Sequence, residues 1–307
     1  MKHLILGAGN LGIDIKNEVI RQSGERRNVD LVSLSEGLDV RDLNALRATL
    51  ARDDYDVIWY CVGQGSVQQA KDDPESARLI YGNAPKLVAA SARVDAKVII
   101  FSTDYVADEN DPGNPNAVTQ EFLSEYASIR AKAEQYILHA NRPNTAIVRV
   151  GSLYGTHKPD KTFPGRILAS FGQESDTRIR LPRNLVTPTP TLWLASVLVS
   201  NLERMFNAEE TVIHHCSPLG NVSVWDWATF VLKGIREPSA FSHDEFFDEE
   251  RPKISALGST FLETNWNWFE LWQTYFKPEW FTLPDPQPSD EAPTEPTGAE
   301  ALADTKA

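Results

Sequence analysis

The sequence predicts an α/β protein built on a doubly wound parallel sheet, with a smaller C-terminal lobe. Three observations predict it. The chain opens on a short apolar run, then three glycines, then a helical stretch. Apolar runs and helical stretches alternate from there to Val150. Past Gly155 the alternation gives way to cationic and aromatic segments. Strand–helix alternation selects a parallel sheet with right-handed crossovers.

Leu4, Ile5 and Leu6 have no polar break, as expected of a strand buried on both faces. Gly7-x-Gly9-x-x-Gly12 follows, and residues 13–20 read as a helix. Strand, glycine turn and helix together are the context in which this spacing means dinucleotide binding in a Rossmann unit. The turn leaves room for a pyrophosphate, and the helix N-terminus, from Asn10 and Leu11 onward, offers it free N–H groups. Residues 29–34 read as the second strand, ending at Ser35-Glu36-Gly37, where the adenosine ribose of such a unit would lie. Glu36 suits the 2′- and 3′-hydroxyls of NAD, whereas Ser33, Ser35 and Arg41 suit the 2′-phosphate of NADP. The expected cofactor is therefore NADP or NAD.

Residues 38–42 lead into an Ala/Leu/Arg-rich helix, and residues 56–62 form a buried strand ending at Gly63, followed by Gln64 and Gly65. Residues 74–94 read as one long helix, with Ala77, Ile80, Ala84, Leu87 and Ala90 at helical spacing. Residues 97–101 are the next strand and run into Ser102 and Thr103. The Pro-, Asn- and Asp-rich stretch 108–118 reads as a loop, 122–140 as a helix and 145–150 as a strand. Residues 156–183 carry Lys158, Lys161, Arg166, Arg178, Arg180 and Arg183. Helices over 191–205 and 224–235 flank a strand over 212–216, and 246–280 is aromatic-rich. The organisation expected is a dinucleotide domain over 1–155, a substrate lobe interleaved with returning elements over 156–282, and a tail. Residues 283–307 hold five prolines, six acidic residues and one lysine, which predicts a disordered acidic tail.

A net charge of −13 argues against a nucleic-acid binder. Cys61 and Cys216 sit in apolar segments and read as small buried residues, not a disulfide or metal site. No apolar run approaches membrane-spanning length and no signal-peptide pattern opens the chain, so no membrane role and a cytoplasmic setting are expected. A homodimer or a partner protein is left open.

The chemistry-bearing residues are Ser102 and Thr103 at a strand end, Tyr126 at a helix start, and Arg130 one turn later on the same face. Hydride transfer to a carbonyl needs a proton donor, and tyrosine suits that task. A neighbouring cation favours the phenolate, and a strand-end hydroxyl orients the carbonyl.

On these residues the chain resembles the extended short-chain dehydrogenase/reductases and, among them, the dTDP-4-dehydrorhamnose reductases. Phe101-Ser-Thr-Asp-Tyr-Val106 is similar to their strand-end motif, and Tyr126-Ala-Ser-Ile-Arg130 falls on their Tyr-x-x-x-Lys. Arg149-Val-Gly-Ser-Leu-Tyr-Gly155, Val186-Thr-Pro-Thr189 and Arg251-Pro252 match further motifs. The resemblance covers roughly residues 1–280. It implies catalytic roles for Thr103, Tyr126 and Arg130. It also implies that Gly7, Gly9, Asn10, Leu11, Gly12, Asp39, Val40, Cys61, Val62, Gly63 and Val150 line the cofactor. Arg183 and Arg251 are expected to hold the diphosphate of a nucleotide-sugar substrate. The chain departs from the family in four places. The glycine motif is one residue shorter, Arg183-Asn184 replaces Asp-Gln, Ile254 replaces Asn, and Arg130 replaces lysine.

The expected function is NAD(P)-dependent reduction of a 4-keto nucleotide sugar, with hydride from the nicotinamide and a proton from Tyr126. Two other readings stand beside it. One is a cofactor-binding regulatory subunit with little or no turnover, favoured by Arg130. The other is an epimerase or dehydratase leaning on Asp104.

Overall fold

The computed structural model describes residues 1–63, 67–108, 110–117, 119, 122–170, 179–233, 241, 245–255, 257–260 and 266–281. Gln64, Gly65, Arg178 and the 283–307 stretch lie outside the described residues.

The first half follows the predicted alternation. Strand β1 (His3–Leu6) leads to α1 (Asn10–Ser23), β2 (Val29–Val32), α2 (Leu43–Leu50) and β3 (Val57–Tyr60). Helices α3 (Val67–Asp72), α4 (Pro74–Ala77) and α5 (Ala84–Ser91) precede β4 (Lys97–Thr103), α6 (Glu125–Ala140) and β5 (Thr145–Val150). The second half comprises β6 (Ser152–Tyr154), α7 (Phe163–Ser170), β7 (Leu185–Val186), β8 (Pro188–Pro190) and α8 (Thr191–Ser200). It continues with β9 (Thr211–His215), β10 (Val222–Ser223), α9 (Val224–Leu232), β11 (Ile254–Ser255) and α10 (Trp268–Tyr275).

Among the described residues the main sheet is parallel, in the order β2-β1-β3-β4-β5-β9. Strands β1, β3 and β4 are buried on both faces, which explains their apolar runs. Leu4, Leu6, Ile58, Tyr60, Val98 and Ile100 face α2, α5 and α6. Ile5, Val57, Trp59, Ile99 and Phe101 face the other way, against α1 and α8. Side chains of period two thus feed two cores from one set of strands. A third cluster gathers Tyr154, Trp227, Phe241, Trp268 and Trp272 around α9, α10 and the small sheet β10-β7-β11. Phe163 stacks on Trp227 at 4.6 Å there, and Phe276 stacks on Trp272 at 3.8 Å. The β6 and β8 strands pair in parallel, so the 149–155 and 186–189 motifs lie side by side.

The strand order reverses at β1, where β2 lies on one side and β3 on the other. Such a switch point opens a crevice at the strand C-termini. Gly7 sits there with φ +107°, and a Cβ on it would lie 3.0 Å from the backbone of Cys61 and Val62. A Cβ on Gly12 would lie 1.9 Å from the Gly7 carbonyl oxygen, so only glycine lets α1 pack this close to β1.

Among the elements that differ from expectation, three border the crevice. The second strand stops at Val32, because a 3₁₀ turn (Leu34–Glu36) closed by the left-handed Gly37 folds the chain back. The helix predicted over 122–140 starts at Glu125, where Ser124 accepts a hydrogen bond from the Ala127 N–H. The long helix over 74–94 ends at Ser91 and is interrupted by a π-helical segment, Arg78–Asn83, between α4 and α5. Pro85 accounts for the interruption: it has no N–H for the Tyr81 carbonyl, and its ring collides with that carbonyl in a regular helix.

His3 and His215 are buried on β1 and β9. Burial lowers both from 6.5 to about 4, helped at His3 by the terminal ammonium and at His215 by Arg149. The unfolded chain takes up these protons as pH falls through 6.5, whereas the folded chain resists until about 4. Their contribution is therefore complete above pH 6.5 and is lost as pH falls toward 4. We expect urea-unfolding free energy to drop across that window by on the order of a few kcal/mol. A constant value across it contradicts this assignment.

Candidate active site

The crevice at the switch point is built from backbone first. Helix α1 begins after Gly9 with no side-chain cap and no acidic residue in its first turn. The N–H groups at Asn10, Leu11 and Gly12 therefore face the crevice with the positive end of the helix dipole behind them. A Cβ on Gly9 would meet nothing within 4 Å, so the space above the turn is open. Cys61, Val62 and Gly63 continue β3 along the opposite wall, and the Cys61 N–H donates to the Leu6 carbonyl at 2.8 Å. Burial raises the Cys61 and Cys216 thiols above their ordinary range, and both are unpaired.

The Asn10 side chain is committed to the loop that opens the second half. Its Oδ1 accepts from the Lys158 N–H at 2.7 Å and its Nδ2 donates to the Lys158 carbonyl at 3.0 Å. Next to it, His157 Nε2 lies 2.8 Å from Asp14 Oδ1 of α1. The loop opening the second half is thus clasped to the helix that follows the glycine turn. Asp39 is bound by Arg41 through Nε at 3.0 Å and Nη2 at 2.6 Å, and Val40 is buried beside it in the core.

The second group of residues stands at the C-terminal end of β4. Thr103 closes the strand and pairs in register with the buried Val150 of β5. Its Oγ1 lies 3.0 Å from Asp104 Oδ1. Burial raises the Asp104 carboxyl pKa, against hydrogen bonds from Ser255 and Thr103. Tyr126 lies on the first turn of α6, edge-on to Tyr81 at 5.2 Å and to Tyr105 at 5.6 Å. Arg130, one turn on, donates through Nη1 to the Phe101 carbonyl at 2.7 Å. Its guanidinium carbon lies 4.1 Å from the Tyr81 ring centroid and 5.4 Å from that of Tyr126. Burial opposes its charge, yet Tyr126 and Tyr81 raise its pKa above the ordinary value.

Tyr81 is the residue that sequence reading missed. It comes from the π-helical segment, and its hydroxyl would lie 3.7 Å from a Cβ on Gly63. The signal was Pro85, which forces the extra residue into that helix.

The cationic residues divide. Arg251 reaches over the Tyr105 ring at 5.6 Å, with Asp248 Oδ2 3.4 Å from its Nε. Burial lowers the Arg166 pKa and the charge of Arg251 adds to that, while Arg166 Nη1 donates to the Lys161 carbonyl at 3.0 Å. Arg183 instead lies over Trp225 at 4.3 Å, with Asp226 at 4.0 Å and Glu245 at 3.7 Å. Arg180 covers Phe246 at 4.3 Å. Asn184 is fully buried and fixes the segment carrying Arg251. Its Oδ1 accepts from the Asp248 N–H at 2.7 Å, and its Nδ2 donates to the Pro252 carbonyl at 3.0 Å.

Among the described residues no group of three or more metal-ligating side chains comes together, and no helix is long and apolar enough to cross a membrane.

A dTDP-4-dehydrorhamnose reductase of Mycolicibacterium smegmatis is 30% identical over 236 residues, covering 76% of this chain and 68% of the relative. The crystal structure of a dTDP-4-dehydrorhamnose reductase from Clostridium acetobutylicum superposes with a TM-score of 0.72 at 25% identity, over 90% of this chain and 98% of that one. A Bacillus anthracis dTDP-4-dehydrorhamnose reductase, solved in complex with NADP, shares the fold with a TM-score of 0.70 at 20% identity, over 90% and 98% of the two chains. A family model, the RmlD substrate binding domain, matches residues 1–277. With the match running through both the glycine turn and the arginine-bearing second half, the chain belongs to the RmlD substrate binding domain family.

Proposed function

We propose that the protein is an NAD(P)-dependent reductase of a 4-keto nucleotide sugar. The observation that carries this reading is the seat of Arg130. The guanidinium is anchored to the Phe101 carbonyl, 4.1 Å from the Tyr81 ring centroid and 5.4 Å from that of Tyr126. It is built in as a fixed cation beside a phenol, which is what a tyrosine proton donor requires. The relatives named for reduction of dTDP-4-dehydrorhamnose support the substrate class.

The crevice fits a dinucleotide. The uncapped start of α1 and the open space above Gly9 suit a pyrophosphate. When bound, the nicotinamide supplies the hydride. Tyr126 gives its hydroxyl proton to the carbonyl oxygen as it becomes an alkoxide, and Arg130 stabilises the phenolate left behind. Thr103 orients the same oxygen. Asp104 Oδ1 accepts from the Thr103 hydroxyl at 3.0 Å and holds that side chain at the strand end. Arg251 and Arg166 hold the diphosphate, a task that suits forked guanidiniums. Arg183, spread over Trp225, serves the nucleotide end of the same substrate.

Tyr126→Phe is expected to lower kcat by roughly two to four orders of magnitude with little change in cofactor affinity. Arg130→Lys keeps the charge but loses the planar fork that spans Phe101 and the two rings, so kcat should fall at least about tenfold. Steady-state assays with a dTDP-4-keto-6-deoxy sugar and reduced dinucleotide test both; higher activity in Arg130→Lys refutes the seat described here.

Two glycines of the turn separate binding from folding. Gly9→Val should leave the melting temperature nearly unchanged and abolish dinucleotide binding in a calorimetric titration. Gly12→Ala forces a carbon against the Gly7 carbonyl and should cost about 1–3 kcal/mol of stability or more. Undiminished binding by Gly9→Val excludes this turn as the cofactor site.

A further inference from the structure

The end of β2 bears on which dinucleotide the crevice accepts, an inference that rests on the cofactor reading above. Val32, the last residue of β2, accepts the Gly7 N–H at 2.8 Å, so the residues after it stand beside the glycine turn. The 3₁₀ turn Leu34–Glu36 then brings Glu36 back over Ser33. Both serine hydroxyls donate to one oxygen of this carboxylate, Glu36 Oε2: Ser35 at 2.9 Å, and Ser33 in a shorter contact. The two hydroxyls lie 2.9 Å from each other. Arg41, the other group suited to a phosphate, is spent elsewhere. It is forked onto Asp39 and donates through Nη1 to Ser76 Oγ at 3.1 Å. Lys158 lies near enough to help keep Glu36 ionised, after the two serines.

From this arrangement we infer that the protein takes NADH in preference to NADPH, with Glu36 as the residue that sets the choice. A carboxylate at this point accepts hydrogen bonds from the ribose 2′- and 3′-hydroxyls. A 2′-phosphate would meet that carboxylate with like charge. It would also have to strip both serines from Glu36 and could not recruit Arg41 without breaking the Asp39 pair. Lys158 contributes positive charge near this carboxylate, behind the two serines in its effect on Glu36.

The test is a titration of the full chain with NADH and with NADPH, without sugar nucleotide, followed by calorimetry. Wild type should bind NADH at least about tenfold more tightly. Glu36→Gln should weaken NADH and strengthen NADPH, bringing the two within about threefold of each other. The Ser33→Ala/Ser35→Ala double variant should not lose NADPH selectively, since the serines serve the carboxylate and not a phosphate. Equal or reversed affinities in the wild type overturn the inference, as does an unchanged ratio in Glu36→Gln or a selective loss of NADPH in the serine variant. In each of those cases the dinucleotide site itself still stands. Failure to bind either dinucleotide overturns the inference together with the reductase reading.

Discussion

The ion pair between Arg149 and Glu134 holds the working end of the molecule in place. Both side chains are buried, with Nη2 2.7 Å from Oε2. Arg149 belongs to β5 and Glu134 to α6, so the pair fastens the helix to the sheet. The same guanidinium donates through Nη1 to the Pro115 and Ala117 carbonyls at 3.2 and 3.3 Å, and lies 3.3 Å from His215 on β9. One cation therefore fixes a helix, two strands and the loop ahead of the helix. Taking such a charge out of water is costly, and removing one partner of a buried pair typically costs about 3–5 kcal/mol. Glu134 lies four residues after Arg130, which makes its own anchor on Phe101. Tyr126 inherits its position from these two attachments.

The second constraint is the clasp between Asn10 and Lys158, with His157 and Asp14 beside it. Helix α1 leaves its N-terminal N–H groups uncapped, yet its first side chain is committed to a loop from the other half of the chain. Gly155 belongs to this contact: a Cβ there would lie 2.3 Å from Thr191 Oγ1 and 2.9 Å from Asn10 Cβ. The glycine turn and the arginine-bearing half are thereby held in one geometry.

Much of this was legible in the chain because β1, β3 and β4 are buried on both faces. Their apolar runs stand out, and the glycine turn marks where the first of them ends. Thr103, Tyr126 and Arg130 could be picked out because strand end and helix start are local features. Residues whose roles depend on distant partners could not. Nothing near Asn10 in sequence announces Lys158, 148 residues away. Asn184 read as a departure from a motif, whereas it is a buried bracket for a segment 64 residues on. Arg41 looked free to meet a phosphate until Asp39 was seen to occupy it. Side-chain pairing across the fold decides such cases, and local pattern carries no record of it.

The π-helical segment Arg78–Asn83 amounts to an α-helix with one residue inserted. Deleting that residue would restore regular hydrogen bonding up to Pro85, but it would also turn one flank of the helix against the other by about 100°. Ala77 and Ile80 on one side, and Ala84 and Val88 on the other, now share a single core. After such a deletion the two sets could no longer face the sheet together. Tyr81 would swing off the Arg130 guanidinium at the same time. The irregularity is thus held twice over, by the core beneath it and by the ring it presents.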